Sequence, residues 1–145
     1  MRRLSALFAV LIALGPAMAA EKPGDPGTNV EMPFLIAPMT VDGKLYGYAY
    51  ISLKAVTASQ PDALLLRGKL AFVQDAFVRD VNAAPIGKAG DPKAVDEAVL
   101  TARLLDDARR IVGAHKVVKI LVVQSKVTPI RPSEIAAPDT PGQTE

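Results

Sequence analysis

The sequence predicts a single α+β domain of β-β-α-α-β order, a small sheet packed by two helices. Three observations carry the prediction. Residues 45 to 56 alternate in polarity with period two, two later stretches repeat apolar residues every three or four positions, and the run from Lys116 to Val127 is dense in valine. Stretches rich in proline and glycine bracket these signals and leave one foldable unit, about residues 30 to 130, with no internal repeat.

Phe34 to Thr40 is short and apolar, and Pro33 and Pro38 restrict it to an edge or bulged strand. Val41-Asp42-Gly43-Lys44 reads as a hairpin turn, because Asp-Gly tolerates the positive φ of a tight turn. In the strand from Leu45 to Val56, Tyr46, Tyr48, Tyr50, Ser52 and Lys54 share one face. Leu45, Gly47, Ala49, Ile51, Leu53 and Ala55 share the other.

Ser59-Gln60-Pro61-Asp62 has the chemistry of a helix start: Ser59 as N-cap, Pro61 in the first turn, Asp62 near the positive end of the dipole. Leu66, Leu70, Val73, Phe77 and Val81 then mark one face of a helix reaching about Asn82, weakened locally by Gly68. Pro85 to Gly90 is expected to be a loop. Asp91-Pro92 is expected to open the second helix, with Val95, Val99, Ala102, Leu105, Ala108 and Val112 on its buried face, widened by Leu104 and Ile111. Gly113 ends it, and Arg109 and Arg110 in its last turn suit the dipole. In the closing strand Val118, Ile120 and Val122 oppose Val117, Leu121, Val123 and Val127. Apolar residues on both faces predict an interior position.

Outside the domain, the N-terminus has the layout of a secretory signal peptide over residues 1–19. Arg2 and Arg3 are followed by an apolar run from Leu4 to Leu14, a Gly15-Pro16 break, and the small-x-small sequence Ala17-Met18-Ala19. The run of about eleven residues is short of the roughly twenty that span a bilayer. Ser5-Ala6-Leu7 after the twin arginine favours Sec over Tat export. The expectation is a periplasmic or secreted protein, cleaved after Ala19, with no integral membrane segment afterwards. Residues 20–29 read as a flexible linker and 131–145 as a disordered tail.

Charge and composition remove several function classes. Two of the 17 Lys+Arg are Arg2 and Arg3, and the remaining 15 balance the 15 Asp+Glu. A neutral mature chain lacks the general basic surface that nucleic acid requires. With no cysteine and one histidine, a lipoprotein anchor, a thiol nucleophile and Cys- or His-based metal sites are not expected, and no cofactor is implied. Gly87-Lys88-Ala89-Gly90 is a loop rather than a phosphate cradle, since no Gly-Lys-Ser/Thr follows.

The remaining candidates are few. His115 has no Gly-x-Ser-x-Gly elbow to serve and reads as a capping or surface residue. Asp106 and Asp107 resemble a carboxylate pair, but Arg103 four before Asp107 and Arg110 four after Asp106 make them members of a solvated ion-pair face. Asp75 and Arg79 repeat that spacing. Tyr46, Tyr48 and Tyr50 form a stripe that either packs under the helices, meets a protein partner, or binds a ligand. Arg109, Arg110, His115, Lys116 and Lys119 make a local basic cluster, either a solvated helix end or a contact for an anionic lipid or acidic partner. The possible interface residues are thus Tyr46, Tyr48, Tyr50, Arg109, Arg110 and Lys116; no catalytic, cofactor or metal residue is assigned.

Three segments carry a resemblance over about residues 33 to 128. Ile51-Ser52-Leu53-Lys54-Ala55-Val56 leads into Thr57-Ala58-Ser59-Gln60-Pro61-Asp62. Lys69-Leu70-Ala71-Phe72-Val73-Gln74-Asp75-Ala76-Phe77-Val78-Arg79 follows. Leu104-Leu105 and the strand from Val117 to Ser125, with Val122-Val123-Gln124 near its end, complete the pattern. The chain in this order resembles the periplasmic domain of the FliL family of flagellar basal-body proteins. The resemblance implies a stomatin-like α+β fold, no enzymatic activity, and protein partners: copies of itself or a membrane-embedded motor complex. Family members usually keep an uncleaved transmembrane helix, where a cleaved leader is expected here. The other expectation open at this stage is a soluble periplasmic ligand-binding module that uses the tyrosine face.

Overall fold

The computed structural model describes residues 26–131. The expected signal peptide, most of the expected linker and all of the expected tail but Arg131 lie outside them. The described chain is a mixed α+β domain with two antiparallel sheets and three helices. Its order is a 3-10 turn at Pro26–Thr28, β1 (Asn29–Glu31), β2 (Leu35–Val41), β3 (Lys44–Thr57), α1 (Gln60–Gly68), α2 (Leu70–Ala83), β4 (Gly87–Lys88), β5 (Asp91–Val95), α3 (Glu97–Val112) and β6 (Val117–Pro129).

The 14-residue β3 is the axis of the main sheet. β2 pairs with its first half and β1 with its last residues along one edge, while β6 pairs with it along the other. Asp42 and Gly43 both have positive φ, 51° and 74°, and close the β2–β3 hairpin as the Asp-Gly pair predicts. Pro26–Thr28 and β1 belong to the domain although they fall in the segment expected to be linker. Thr57, fully buried, donates its hydroxyl to the Thr28 carbonyl at 2.8 Å and to the Ser59 carbonyl at 3.0 Å, tying that turn to the start of α1.

The helices cover one face of the sheet. Leu35, Ala37 and Met39 from β2 and Ala49, Ile51, Leu53 and Ala55 from β3 are buried beneath Leu66, Val73, Phe77, Val81, Leu100, Leu104, Ala108 and Val112. Three of these sheet positions are alanine, and Phe77 is the largest fully buried side chain of the core.

Five expectations are corrected. The loop expected over Pro85 to Gly90 holds a short strand, β4, paired with β5. The expected single helix from Ser59 to Asn82 is two, because Lys69 (φ −108°, ψ 11°) leaves helical geometry after Gly68. Asp91-Pro92 opens β5 rather than a helix. Proline at the second position of a short edge hairpin removes no ladder bond that strand needs, and the helix starts later, where Asp96 Oδ1 accepts from the Val99 N–H at 3.0 Å. The buried face of α3 is accordingly Leu100, Leu104, Ala108 and Val112; Val99 and Ala102 are exposed. Finally, β6 is an edge strand: among the described residues it pairs only with β3. Register shifts leave Val118 and Val123 without β3 partners. Apolar residues on both faces of β6 therefore do not mean burial on both sides, and bulges at an edge also discourage pairing with another chain.

Candidate functional site

Among the described residues, the face of the sheet away from the helices is open. On β2, Ile36 alternates with buried Leu35 and Ala37; on β3, Tyr48 and Tyr50 alternate with buried Ala49 and Ile51. Phe34 is 56 % exposed, Ile36 50 % and Tyr48 39 %. The register sets Tyr50 between Ile36 on one side and Lys126 on the other, with Tyr48 between Pro38 and Thr128 and Ser52 opposite Gln124. Directly opposed side chains on one face of an antiparallel pair touch. Phe34 adds its ring beside Tyr50, centroids 6.3 Å apart and planes tilted by 43°. Phe34, Tyr50, Gln124, Lys126 and Thr128 together bound a hollow of about 330 Å³.

The tyrosine stripe is therefore split. Helices do not cover Tyr48 and Tyr50. Tyr46 stands alone at the bulge where Met39 pairs with Gly47 and Thr40 with Leu45. Its ring packs against the core, with Lys93 Nζ from β5 5.3 Å from the ring centroid, a cation–π contact.

A second concavity, about 690 Å³, lies between α2 and α3 and is lined by Phe72, Asp80, Asp107, Arg110 and Ile111 among others. Its charged groups already have partners. Arg103 donates from Nε to Asp80 Oδ1 at 3.3 Å, lies 2.7 Å from Asp80 Oδ2, and reaches the Asp80 and Pro85 carbonyls at 2.9 and 3.2 Å. Arg110 pairs with Asp107. Asp75 and Arg79 form the expected exposed pair at 2.6 Å. Lys69 Nζ donates to the Ile111 carbonyl at 2.9 Å, filling an orphan acceptor at the end of α3.

The sequence places the acidic pair of α3 on a solvated face; the structure divides it. Asp106 is exposed and Asp107 is buried. The expected partners are exchanged, since Arg103 reaches across to Asp80 and Arg110 takes Asp107 rather than Asp106. Burial raises the Asp107 carboxyl above the ordinary carboxylate range, and Asp80 pushes it the same way, with Arg110 and Arg103 opposing.

The basic cluster is dispersed into structural contacts. Arg109 donates to the Val117 and Val118 carbonyls at 2.9 and 3.3 Å, joining α3 to β6. Lys116 Nζ donates to Asp62 Oδ1 at 2.9 Å, and that bond, with one from the Ser59 hydroxyl, holds the Asp62 carboxyl below its ordinary range. His115 and Lys119 are exposed. Among the described residues no three His, Cys, Asp or Glu side chains converge to hold a metal ion, and no helix is long and apolar enough to cross a membrane.

Phe34, Ile36, Gln124, Lys126 and Thr128 were absent from the candidates that the sequence yields. Their signal was the polar alternation Gln124, Lys126, Thr128, which marks the outward face of the end of β6. No protein-family model matches the chain, and no curated protein matches it either.

Proposed function

We propose that this chain is a non-enzymatic exported interaction protein of the FliL kind, docking on a membrane-embedded complex or on copies of itself through the outer face of its sheet. The observation that carries this reading is the open row of Phe34, Ile36, Tyr48 and Tyr50, apolar surface that no described element covers. Exposed aromatic groups on a flat surface are what protein interfaces use as anchors. A stomatin-like architecture and a periplasmic location belong to the same proposal and rest on the resemblance and the leader sequence. The absence of enzymatic activity rests on the dispersal of the titratable candidates: His115 is exposed in a turn, Asp107 is bound by Arg110, and Asp106 points to solvent.

Deletion of the gene, read by swimming and swarming, tests the flagellar part together with a photo-crosslinker in place of Tyr48. Impaired motility and crosslinks to a basal-body or stator protein are expected. Normal motility with no flagellar protein crosslinked rejects it.

One observation favours a second reading, a ligand-binding module: the hollow beside Tyr50 has polar groups on its rim as well as rings in its wall. Thermal-shift screening against sugars, lipids and peptides tests it. A ligand that stabilises the native protein but not the Tyr48→Ala or Tyr50→Leu variants supports it, and the absence of any such ligand rejects it.

A further inference from the structure

We propose that the hollow bounded by Phe34, Tyr50, Gln124, Lys126 and Thr128 binds a carboxylated saccharide, its ring against the two aromatic side chains and its carboxylate paired with the Lys126 ammonium. The proposal rests on the ligand-binding reading above and supplies its chemical class.

The first argument is the state of the polar groups. Among the described residues, the side chains of Gln124, Lys126 and Thr128 and the Tyr50 hydroxyl enter no hydrogen bond or ion pair. In the α2–α3 groove, by contrast, Lys69, Asp75, Arg79, Asp80, Asp107 and Arg110 all have partners. Unspent donors and acceptors around an apolar wall are the composition of a small-molecule site, whose few polar groups orient a ligand held by apolar contact.

The second argument is shape. The two rings are tilted by 43° and 6.3 Å apart, so they form an angled wall rather than a slot for a flat base. Ring faces carry the negative side of a quadrupole and attract the polarised C–H groups of a sugar. Gln124 offers a donor and an acceptor in fixed relation, and Thr128 a hydroxyl that serves as either, a set that suits neighbouring sugar hydroxyls. The volume of about 330 Å³ is at the small end of ligand sites and admits one or two sugar units.

The third argument is charge. Lys126 is the one basic side chain in the lining, and no carboxylate accompanies it. A single ammonium matches a single carboxylate. A phosphate would call for several donors, an Arg fork or free backbone N–H groups at a helix start; the lining here holds one lysine, no arginine and no helix residue.

The test is a titration of the isotope-labelled full chain, followed by NMR, with two probes: trigalacturonate and the N-acetylglucosaminyl-N-acetylmuramic acid disaccharide. Each is compared with its own methyl ester, which removes the charge and keeps the sugar. At least one acid should give saturable shifts at Tyr50, Gln124 and Lys126, and its ester should bind about tenfold more weakly. Lys126→Gln should weaken the acid to the level of the ester and leave the ester unchanged, and Lys126→Arg should retain the acid. Phe34→Ala and Tyr50→Leu should weaken both forms; Phe34 is exposed, so its loss leaves the fold intact. Equal binding of acid and ester, or indifference to Lys126→Gln, overturns the carboxylate assignment while leaving a ligand-binding face standing. No saturable binding by either acid overturns the proposal. The protein-docking reading is decided separately, by the Tyr48 crosslinks.

Discussion

The α2–α3 groove and the hollow on the outer face of the sheet differ in whether their polar groups are already satisfied. In the groove, Arg103 serves Asp80 and the carbonyls that end α2, Arg110 serves Asp107, and Lys69 serves the end of α3. On the sheet, Lys126, Gln124 and Thr128 face solvent beside exposed rings. The larger cavity with more charges is thus the worse candidate for recognition. A ligand entering the groove would have to displace internal partners, whereas one on the sheet would replace only water.

This contrast predicts that substitutions on the two surfaces separate stability from binding. The largest loss should come from the seam beneath the sheet's open face. A Cβ at Gly47 would collide with the Thr128 carbonyl oxygen of β6. Backbone cannot yield as a side-chain tip can, so Gly47→Ala should cost about 2–3 kcal/mol in urea unfolding. It should also raise hydrogen exchange along the end of β6. Unchanged stability would mean that β6 is free to move away, and that the hollow has no fixed rim.

Arg103→Met should follow, at about 2 kcal/mol, because it strands the partly buried Asp80 and the carbonyls at the end of α2. The double variant with Asp80→Leu should recover part of that loss. If it does not, the guanidinium matters mainly through the Pro85 and Asp80 carbonyls.

Two carboxylates give the comparison a pH axis with opposite signs. The Asp107 pKa is raised by folding, so the folded state holds that proton more tightly than the unfolded chain. Its ionised form costs stability above the raised pKa, and the cost is relieved as pH falls through it. The Asp62 pKa is lowered by Lys116 and Ser59, so its contribution is complete above the ordinary Asp range and is lost as pH falls through the depressed folded value. Urea melts from neutral to acid pH should therefore show Asp107→Asn removing a gain on first acidification, and Asp62→Asn removing part of the loss at the acid end. Parallel curves for Asp107→Asn and the native chain would place Asp107 in solvent.

Sequence reasoning reached local features well. Ser59 caps α1 by accepting from the Asp62 N–H and Asp42-Gly43 closes the hairpin, because each depends on neighbours within a few positions, whereas alternation along β3 left open which of its faces the helices cover. It missed what depends on pairing across the fold. The bulge opposite Met39 turns Tyr46 out of its stripe, and nothing at Tyr46 itself encodes that shift. The Arg103–Asp80 contact spans 23 positions, and helix spacing offered nearer but unused partners. The outer hollow draws on Phe34, on β3 and on β6, which only strand register brings together.

The smallest expected effect on stability is the most informative about function. Tyr48→Ser and Ile36→Thr change side chains that project from the face of the sheet that no described helix covers, so each should shift unfolding by about 0.5 kcal/mol or less. If the face serves docking as proposed, these same changes should abolish crosslinking to the partner. If it is ordinary solvated surface, they should leave crosslinking unchanged. A larger loss of stability without a partner effect would give a third answer, that another part of the chain lies over the sheet. Stability alone cannot separate recognition from an idle surface, since both predict a small change, so the two measurements have to be made on the same variants. Arg103→Met is the matching control: it should weaken the fold and leave partner capture per folded molecule unchanged. Reversal of that pattern, with capture lost at Arg103 and kept at Tyr48, would move the docking surface to the α2–α3 groove.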